Sequence, residues 1–163
     1  MEDKLLNVPL AQMSLIFVFA SMAFYTVSFL LFVWHIANAS SAKKKVRDAS
    51  GGIQKLALWV FGFSALIHGA GVAMRGIAAH RVPWANMYEF SISGSFLIVL
   101  IFLTALKVKE IRIIAAFVNG FALLVLGAAT TLFYVQVKSL PPALQSYWPV
   151  SYTHLRAHET LMN

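Results

Sequence analysis

Long apolar stretches separated by short polar ones set the pattern of this chain. The first is "VPLAQMSLIFVFASMAFYTVSFLLFVWHI" and the second "LALWVFGFSALIHGAGVAM"; the third and fourth flank the basic turn "KVKEIR". A helix needs about 20 largely apolar residues to cross a hydrocarbon layer of about 30 Å. The pattern therefore predicts an all-α, polytopic membrane protein with four spans, at about 8–36, 56–75, 87–106 and 113–134. The polar run "ANASSAKKKVRDASGG" is expected to connect the first two spans, and "GIAAHRVPWAN" the second and third. The first stretch is too long for a signal-peptide core and lacks a basic start and a small-residue cleavage pattern, so it reads as a retained span.

Composition sharpens this picture. Hydrophobic residues make up 60% of the chain and charged residues 12%, with mean hydropathy +0.74. A soluble domain carries roughly 25% charged residues. The 163 residues leave room for four spans and short connections but for no large aqueous domain. The absence of cysteine excludes disulfides, thiolate metal sites and cysteine nucleophiles within the chain.

A net charge of +7 would suit a nucleic-acid partner, but its distribution is that of a topology signal, and no such partner is assigned. The connections after spans one and three hold eight cations: Lys43, Lys44, Lys45, Arg47, Lys55, Lys107, Lys109 and Arg112. The opposite side holds four, Lys4, Arg75, Arg81 and Lys138. The positive-inside rule then places the two basic connections in the cytoplasm, and both termini and the "HRVPWAN" loop outside.

That loop is the most informative part of the sequence. Pro83 favours an extended backbone before it and ends the second span. Trp84 and Tyr88 are the amphipathic rings expected at a membrane interface. Asn86 is placed to cap the third span, and Glu89 falls in its first turn, where the helix dipole favours a carboxylate. Arg75, at the end of span two, is a partner for Glu89. These residues form either a well-anchored turn or a surface that receives a substrate.

With these residues set out, "RVPWANMYEFS" resembles the loop and helix start of the CcsA/ResC family, membrane subunits of the system II cytochrome c synthase. The matching positions are Arg75, Pro83, Asn86, Met87, Tyr88 and Glu89. Further on, "LPPALQSYW" is similar to the family segment that leads to a tryptophan, here Trp148. The resemblance spans 75–148. It implies the binding and delivery of haem, a non-covalent b-type substrate, for covalent attachment to the Cys-X-X-Cys-His thiols of apocytochrome c. It also implies a second, ResB/Ccs1-like subunit and a bacterial cytoplasmic membrane with the functional face outside. The family's tryptophan-rich loop would lie beyond this sequence, which looks like an N-terminal half. No catalytic residue is assigned.

Histidines are the family's iron ligands. His68 lies twelve residues after Leu56, about 18 Å along a helix, and so deep within the second span. An imidazole there needs a hydrogen-bond partner, a water-filled cavity or a metal. It is read as a haem-ligand candidate, with a neutral histidine bonded across a helix interface as the other possibility. Gly69 and Gly71 would let a helix or a flat macrocycle approach. His35 ends span one beside Trp34, about 15 Å or more from the depth of His68, so the two are not expected to pair. His80 meets either a haem propionate or water. Two further functions fit the composition: a small four-helix transporter with His68 as proton relay, and a non-catalytic assembly partner in the membrane.

The sequence closes on "YWPVSYTHLRAHETLMN". His154 and His158 stand four apart, a spacing that on a helix puts both rings on one face as in many zinc sites. The stretch 150–160, however, is identical at all eleven positions to the translation of a transposase sequencing adapter. Residues 150–163 are accordingly read as an artefactual tail, 1–149 as the membrane domain, and the histidine pair is set aside as a metal site.

Overall fold

The computed structural model describes residues 8–41, 44–107 and 111–136. These form four α-helices: α1 (Val8–Ser41), α2 (Lys44–Ala79), α3 (Met87–Ala105) and α4 (Ala115–Leu132). A single 3-10 turn, Arg112–Ile114, precedes α4. Each helix contains a segment long and apolar enough to cross a membrane: Val8–Asn38, Gly51–Ala79, Met87–Ala105 and Ala115–Leu132. Among the described residues there is no strand.

The principal departure from the sequence pattern is the first connection. Most of the polar run is helical rather than loop, because α1 continues to Ser41 and α2 begins at Lys44. The run contains no proline, and its alanines, lysines and arginine are good helix formers, so both helices extend into it. At 34 and 36 residues, α1 and α2 are about 51 and 54 Å long, well beyond the hydrocarbon thickness. α2 also runs past Arg75 to Ala79, which places Arg75 inside the helix rather than at its end. The fourth helix is shorter than expected, since Phe133 already leaves the helical region and Tyr134 lies beyond it.

What joins the helices is a seam of alternating three- and four-residue steps. The buried positions of α1 are Ala11, Ser14, Val18, Ser21, Tyr25, Ser28 and Phe32. On α2 they include Ala57, Phe61, Ser64, His68, Gly71, Arg75 and Ala78. α3 repeats the spacing with Tyr88, Ile92, Ser95, Val99 and Phe102, and α4 with Ala115, Asn119, Ala122, Leu126 and Ala129. A period of 3.5 keeps one face of each helix turned to its neighbours, as in a coiled coil.

In the seams of α1, α2 and α4 one sub-row is small and the other mostly larger. Ser14, Ser21 and Ser28 on α1 recur every seven residues, as do Ala57, Ser64, Gly71 and Ala78 on α2. The small rows let the two backbones come close enough for side chains to reach carbonyls across the interface. Ser14 Oγ donates to the Gly71 carbonyl at 2.7 Å, and Ser28 Oγ donates to the Ala57 carbonyl at 2.9 Å. As the α1 number rises the α2 number falls, so the helices are antiparallel. Small residues and interhelical hydrogen bonds supply association where lipid removes the hydrophobic drive.

α1 packs against α2 and α4, and α3 against α2 and α4, which closes a four-helix bundle. Asn119 ties α4 to α1. In the orientation that satisfies its amide, it donates to the Tyr25 carbonyl at 3.3 Å and accepts from the Phe29 amide at 3.0 Å. Large apolar side chains such as Trp59, Leu66, Phe117 and Leu124 point outward and are at least 73% exposed. Such a surface suits hydrocarbon rather than water.

Candidate functional site

The turn between α2 and α3 is built from ordinary chain-reversal chemistry. The last turn of α2 closes with the Arg81 amide donating to the Gly76 carbonyl and the His80 amide to the Ile77 carbonyl, both at 3.2 Å. This is the Schellman pattern, and it requires its penultimate residue in the left-handed region. That residue is His80, with φ 51°, exposed at the surface. A glycine usually occupies such a position; histidine is among the residues that tolerate it. The Cβ of a residue replacing Gly76 would sit 3.2 Å from both Pro83 Cδ and the Arg81 carbonyl oxygen, so the turn folds tightly over Gly76.

The chain then reaches Asn86, whose side chain accepts from the Glu89 amide at 2.8 Å and caps α3. Capping fixes the first turn of α3 and aims the Glu89 carboxylate back at the loop. Oε1 accepts from Arg75 Nε at 3.2 Å and from an Arg81 guanidinium nitrogen at 3.3 Å. Oε2 accepts from the other Arg81 terminal nitrogen at 2.5 Å and from the Ala85 amide at 3.2 Å. A carboxylate offers about four acceptor positions, and here all are used. Glu89 is fully buried, and Arg75 is 1% exposed. The remaining reach of Arg75 goes to the Val135 carbonyl at 2.6 Å, which binds the segment after α4 to the same centre.

The Arg75 guanidinium lies 5.0 Å from the centre of the Tyr88 ring, and Tyr134 meets Tyr88 edge-on at 5.2 Å. Tyr88 thus departs from the interfacial position the sequence suggests. It is fully buried, because the α3 seam turns it toward Arg75, while Trp84 and Met87 take the exposed face. Ser93 Oγ donates to the Pro83 carbonyl at 2.7 Å and holds the loop against α3. Arg75, Pro83, Asn86, Tyr88 and Glu89 therefore do converge. What they build is a polar knot that fastens three segments, in which every acceptor position of Glu89 is used and the buried Tyr88 hydroxyl has no partner among the described residues.

The second constellation surrounds His68, two helical turns from Arg75 on the same α2 row. His68 is fully buried. Tyr25 on α1 places its hydroxyl 3.3 Å from His68 Nδ1. Its ring stands edge-on to the imidazole at 5.9 Å, and Phe96 on α3 does the same from the other side at 5.5 Å. Nε2 is left without a hydrogen bond of ordinary geometry among the described residues, with the Ile92 backbone of α3 beside the ring. Phe96 also lies directly over Gly69, where an added Cβ would come within 2.7 Å of Phe96 Cζ. The ring of Phe96 is therefore a cover seated on a bare patch of α2 backbone beside the imidazole.

Tyr25, Phe96 and Arg81 are the members of these sites that the sequence reading left unassigned. Tyr25 was signalled by the seven-residue row it shares with Ala11, Val18 and Phe32, and Arg81 by its place in the loop. Phe96, one of 13 phenylalanines, carried no distinguishing signal. His35 lies ten residues from Tyr25 on α1, about 15 Å away along the helix, and so does not join His68. Among the described residues no group of three or more His, Asp or Glu is placed to hold a metal ion. Trp148, the "LPPALQSYW" segment, His154, His158 and the tail at 150–163 lie outside the described residues. Comparison of the chain with protein-family models, with curated proteins and with solved structures finds no match.

Proposed function

We propose that this chain is a haem-binding membrane protein of the cytochrome c biogenesis kind, with His68 as an axial ligand from within the bundle. The observation that carries the reading is the unsatisfied Nε2 of a fully buried imidazole. A polar atom orphaned in an apolar interior costs about 1–3 kcal/mol, and a buried site with such a cost points to function. The donor suits haem iron in the tautomer whose Nδ1–H donates to the Tyr25 hydroxyl oxygen, which orients the ring and leaves the Nε2 lone pair as the ligating atom. Phe96, and the absence of a side chain at Gly69 beneath it, give a macrocycle a route to that atom once the Phe96 ring turns aside.

The loop resemblance at Arg75, Pro83, Asn86, Tyr88 and Glu89 supports the same assignment, with apocytochrome c and a ResB/Ccs1-like subunit as partners. The excess of Lys and Arg at the end of the bundle away from Glu89 supports an orientation with Glu89 and both termini outside a bacterial cytoplasmic membrane. In this reading the Glu89 knot holds the outer end rigid while haem is held beside α2. A proton relay through His68 has less support, since beyond Tyr25 no titratable group among the described residues continues the path.

Purification in detergent after expression with added haem tests the proposal. The expected result is a Soret band that His68→Gly reduces by about tenfold and that Phe96→Ala increases, with helical content unchanged by circular dichroism. A chain without the band, or a band indifferent to His68→Gly, contradicts it.

A further inference from the structure

The buried row of α4 is Ala115, Asn119, Ala122, Leu126 and Ala129, and among the described residues of that row Asn119 is the one polar side chain. An amide inside a spanning helix is costly unless it is bonded, and Asn119 directs its bonds to a single turn of α1. Its nitrogen donates to the Tyr25 carbonyl at 3.3 Å, and its oxygen accepts from the Phe29 amide at 3.0 Å. Tyr25 and Phe29 are four apart, the spacing of a helical hydrogen bond, so the carboxamide lies across the rung that closes this turn. The same oxygen stands 2.9 Å from Ser28 Oγ, the hydroxyl that also reaches the Ala57 carbonyl of α2. Beside it the Phe29 ring covers Gly120, where an added Cβ would come within 2.9 Å of Phe29 Cε2. Asn119 and Gly120 thus grip the α1 turn from Tyr25 to Phe29 by backbone and by ring.

The turn so gripped carries Tyr25, the polar partner of His68. The Tyr25 hydroxyl lies 3.3 Å from His68 Nδ1, at the far end of hydrogen-bonding distance. A small displacement of Tyr25 therefore decides whether that bond is made. A phenol ring is a stiff lever, and this one stands beside Phe61 at 5.7 Å, so the hydroxyl goes where the Tyr25 backbone carries it. Ser14 and Ser28 fix α1 against α2, while Asn119 fixes the same helix against α4 at the level of Tyr25 itself. An asparagine that only joined two helices could stand at any level of the α4 row, and Ala115, Ala122 and Ala129 pack there without one.

We propose that Asn119 is a positioning residue for the His68 site: by holding the Tyr25–Phe29 turn, with the Phe29 ring seated on Gly120, it places the Tyr25 hydroxyl and so orients the imidazole that presents Nε2. Asn119 touches neither His68 nor a ligand and acts through Tyr25. Groups that hydrogen-bond the distal nitrogen of a ligating histidine set its ring orientation and basicity, and their loss weakens metal binding by about 10–100-fold. The consequence for haem rests on the reading of His68 as its ligand; the positioning of Tyr25 and His68 does not.

Nitrogen NMR of the histidine rings in the full chain, in detergent and without haem, tests this. The His68 signals are assigned by their loss in His68→Gly, and Nδ1 reports the bond to Tyr25 in either tautomer. The expected result is that Tyr25→Phe shifts the Nδ1 resonance and that Asn119→Leu, close to asparagine in shape, reproduces the shift with Tyr25 still present. Gly120→Ala keeps every polar group but pushes against Phe29; it should move the same resonance, and it serves as the test if Asn119→Leu does not fold. Thr130→Val, on α4 with its hydroxyl 4.0 Å from Met22 Sδ of α1, should leave the resonance in place. In a haem titration Asn119→Leu and Tyr25→Phe should each weaken binding about tenfold, and the double variant no further, since both act through one bond. An unmoved Nδ1 resonance in folded Asn119→Leu overturns the proposal, as does an equal shift in Thr130→Val, which would show general loosening of the interface. A chain that binds no haem yet keeps the dependence of Nδ1 on Asn119 would contradict the haem reading and support the positioning.

Discussion

At the scale of single residues, the Glu89 carboxylate is the most consequential group in the bundle. It is buried, and four donors depend on it, three of them on the guanidinium groups of Arg75 and Arg81. Removing one partner of a buried ion pair costs about 3–5 kcal/mol because a charge is left uncompensated. Glu89→Ala is therefore expected to destabilise by about that amount, and Glu89→Gln by less, since it keeps the shape and one acceptor. Arg81→Ala should cost less than Arg75→Ala, because Arg81 is 16% exposed and partly solvated. Thermal unfolding in detergent measures the series; equal stability of Glu89→Ala and the parent would contradict the knot. His80 offers a change of the opposite sign. Its φ of 51° costs a non-glycine residue about 1–2 kcal/mol, so His80→Gly should stabilise by about 1 kcal/mol, whereas His80→Ala should not. A loss of stability in His80→Gly would show that its side chain holds the turn.

At the scale of helices, the four spans could be read from apolar length alone, but their ends could not. Apolar length reports where lipid would lie, whereas a helix ends where its backbone hydrogen bonds are capped or a residue forbids them. The polar run after α1 contains no proline, and both helices extend into it, α1 to Ser41 and α2 from Lys44. The α2 terminus was visible in Pro83, but the Schellman closure from Gly76 to Arg81, with histidine in the usual place of glycine, carried no such mark. Packing was present in the sequence as a seven-residue recurrence of Ser14, Ser21 and Ser28 against Ala57, Ser64 and Gly71, though uniform hydrophobicity hid it from any amphipathic pattern. Gly71 is the test of that seam. A Cβ there would meet Val18 at 3.2 Å and the Ser14 carbonyl at 3.3 Å, so Gly71→Leu should force α1 and α2 apart and cost about 1–3 kcal/mol. Gly62, whose added Cβ meets nothing within 4 Å, should accept Leu without loss and gain helix propensity. Equal effects at the two glycines, measured by thermal unfolding, would contradict close α1–α2 packing.

At the scale of the whole molecule, the structure divides the chain's polar groups between two tasks. Arg75, Arg81, Glu89 and Asn86 satisfy one another and leave no donor or acceptor position on Glu89 for a ligand. His68 keeps a nitrogen without a hydrogen bond of ordinary geometry among the described residues. The loop residues were legible because proline, asparagine and glutamate each carry a local structural meaning. The surroundings of His68 were not, because Tyr25 and Phe96 reach it from other helices and only the register of the seams decides which aromatic arrives there. The central claim, that His68 ligates haem through Nε2, is tested most directly by titrating the purified full chain with haem, beside His68→Gly with and without added imidazole. The expected result is a six- or five-coordinate imidazole-type Soret spectrum for the parent, lost in His68→Gly and restored by free imidazole entering the space the side chain vacates. A parent-like spectrum in His68→Gly before imidazole is added would contradict the claim.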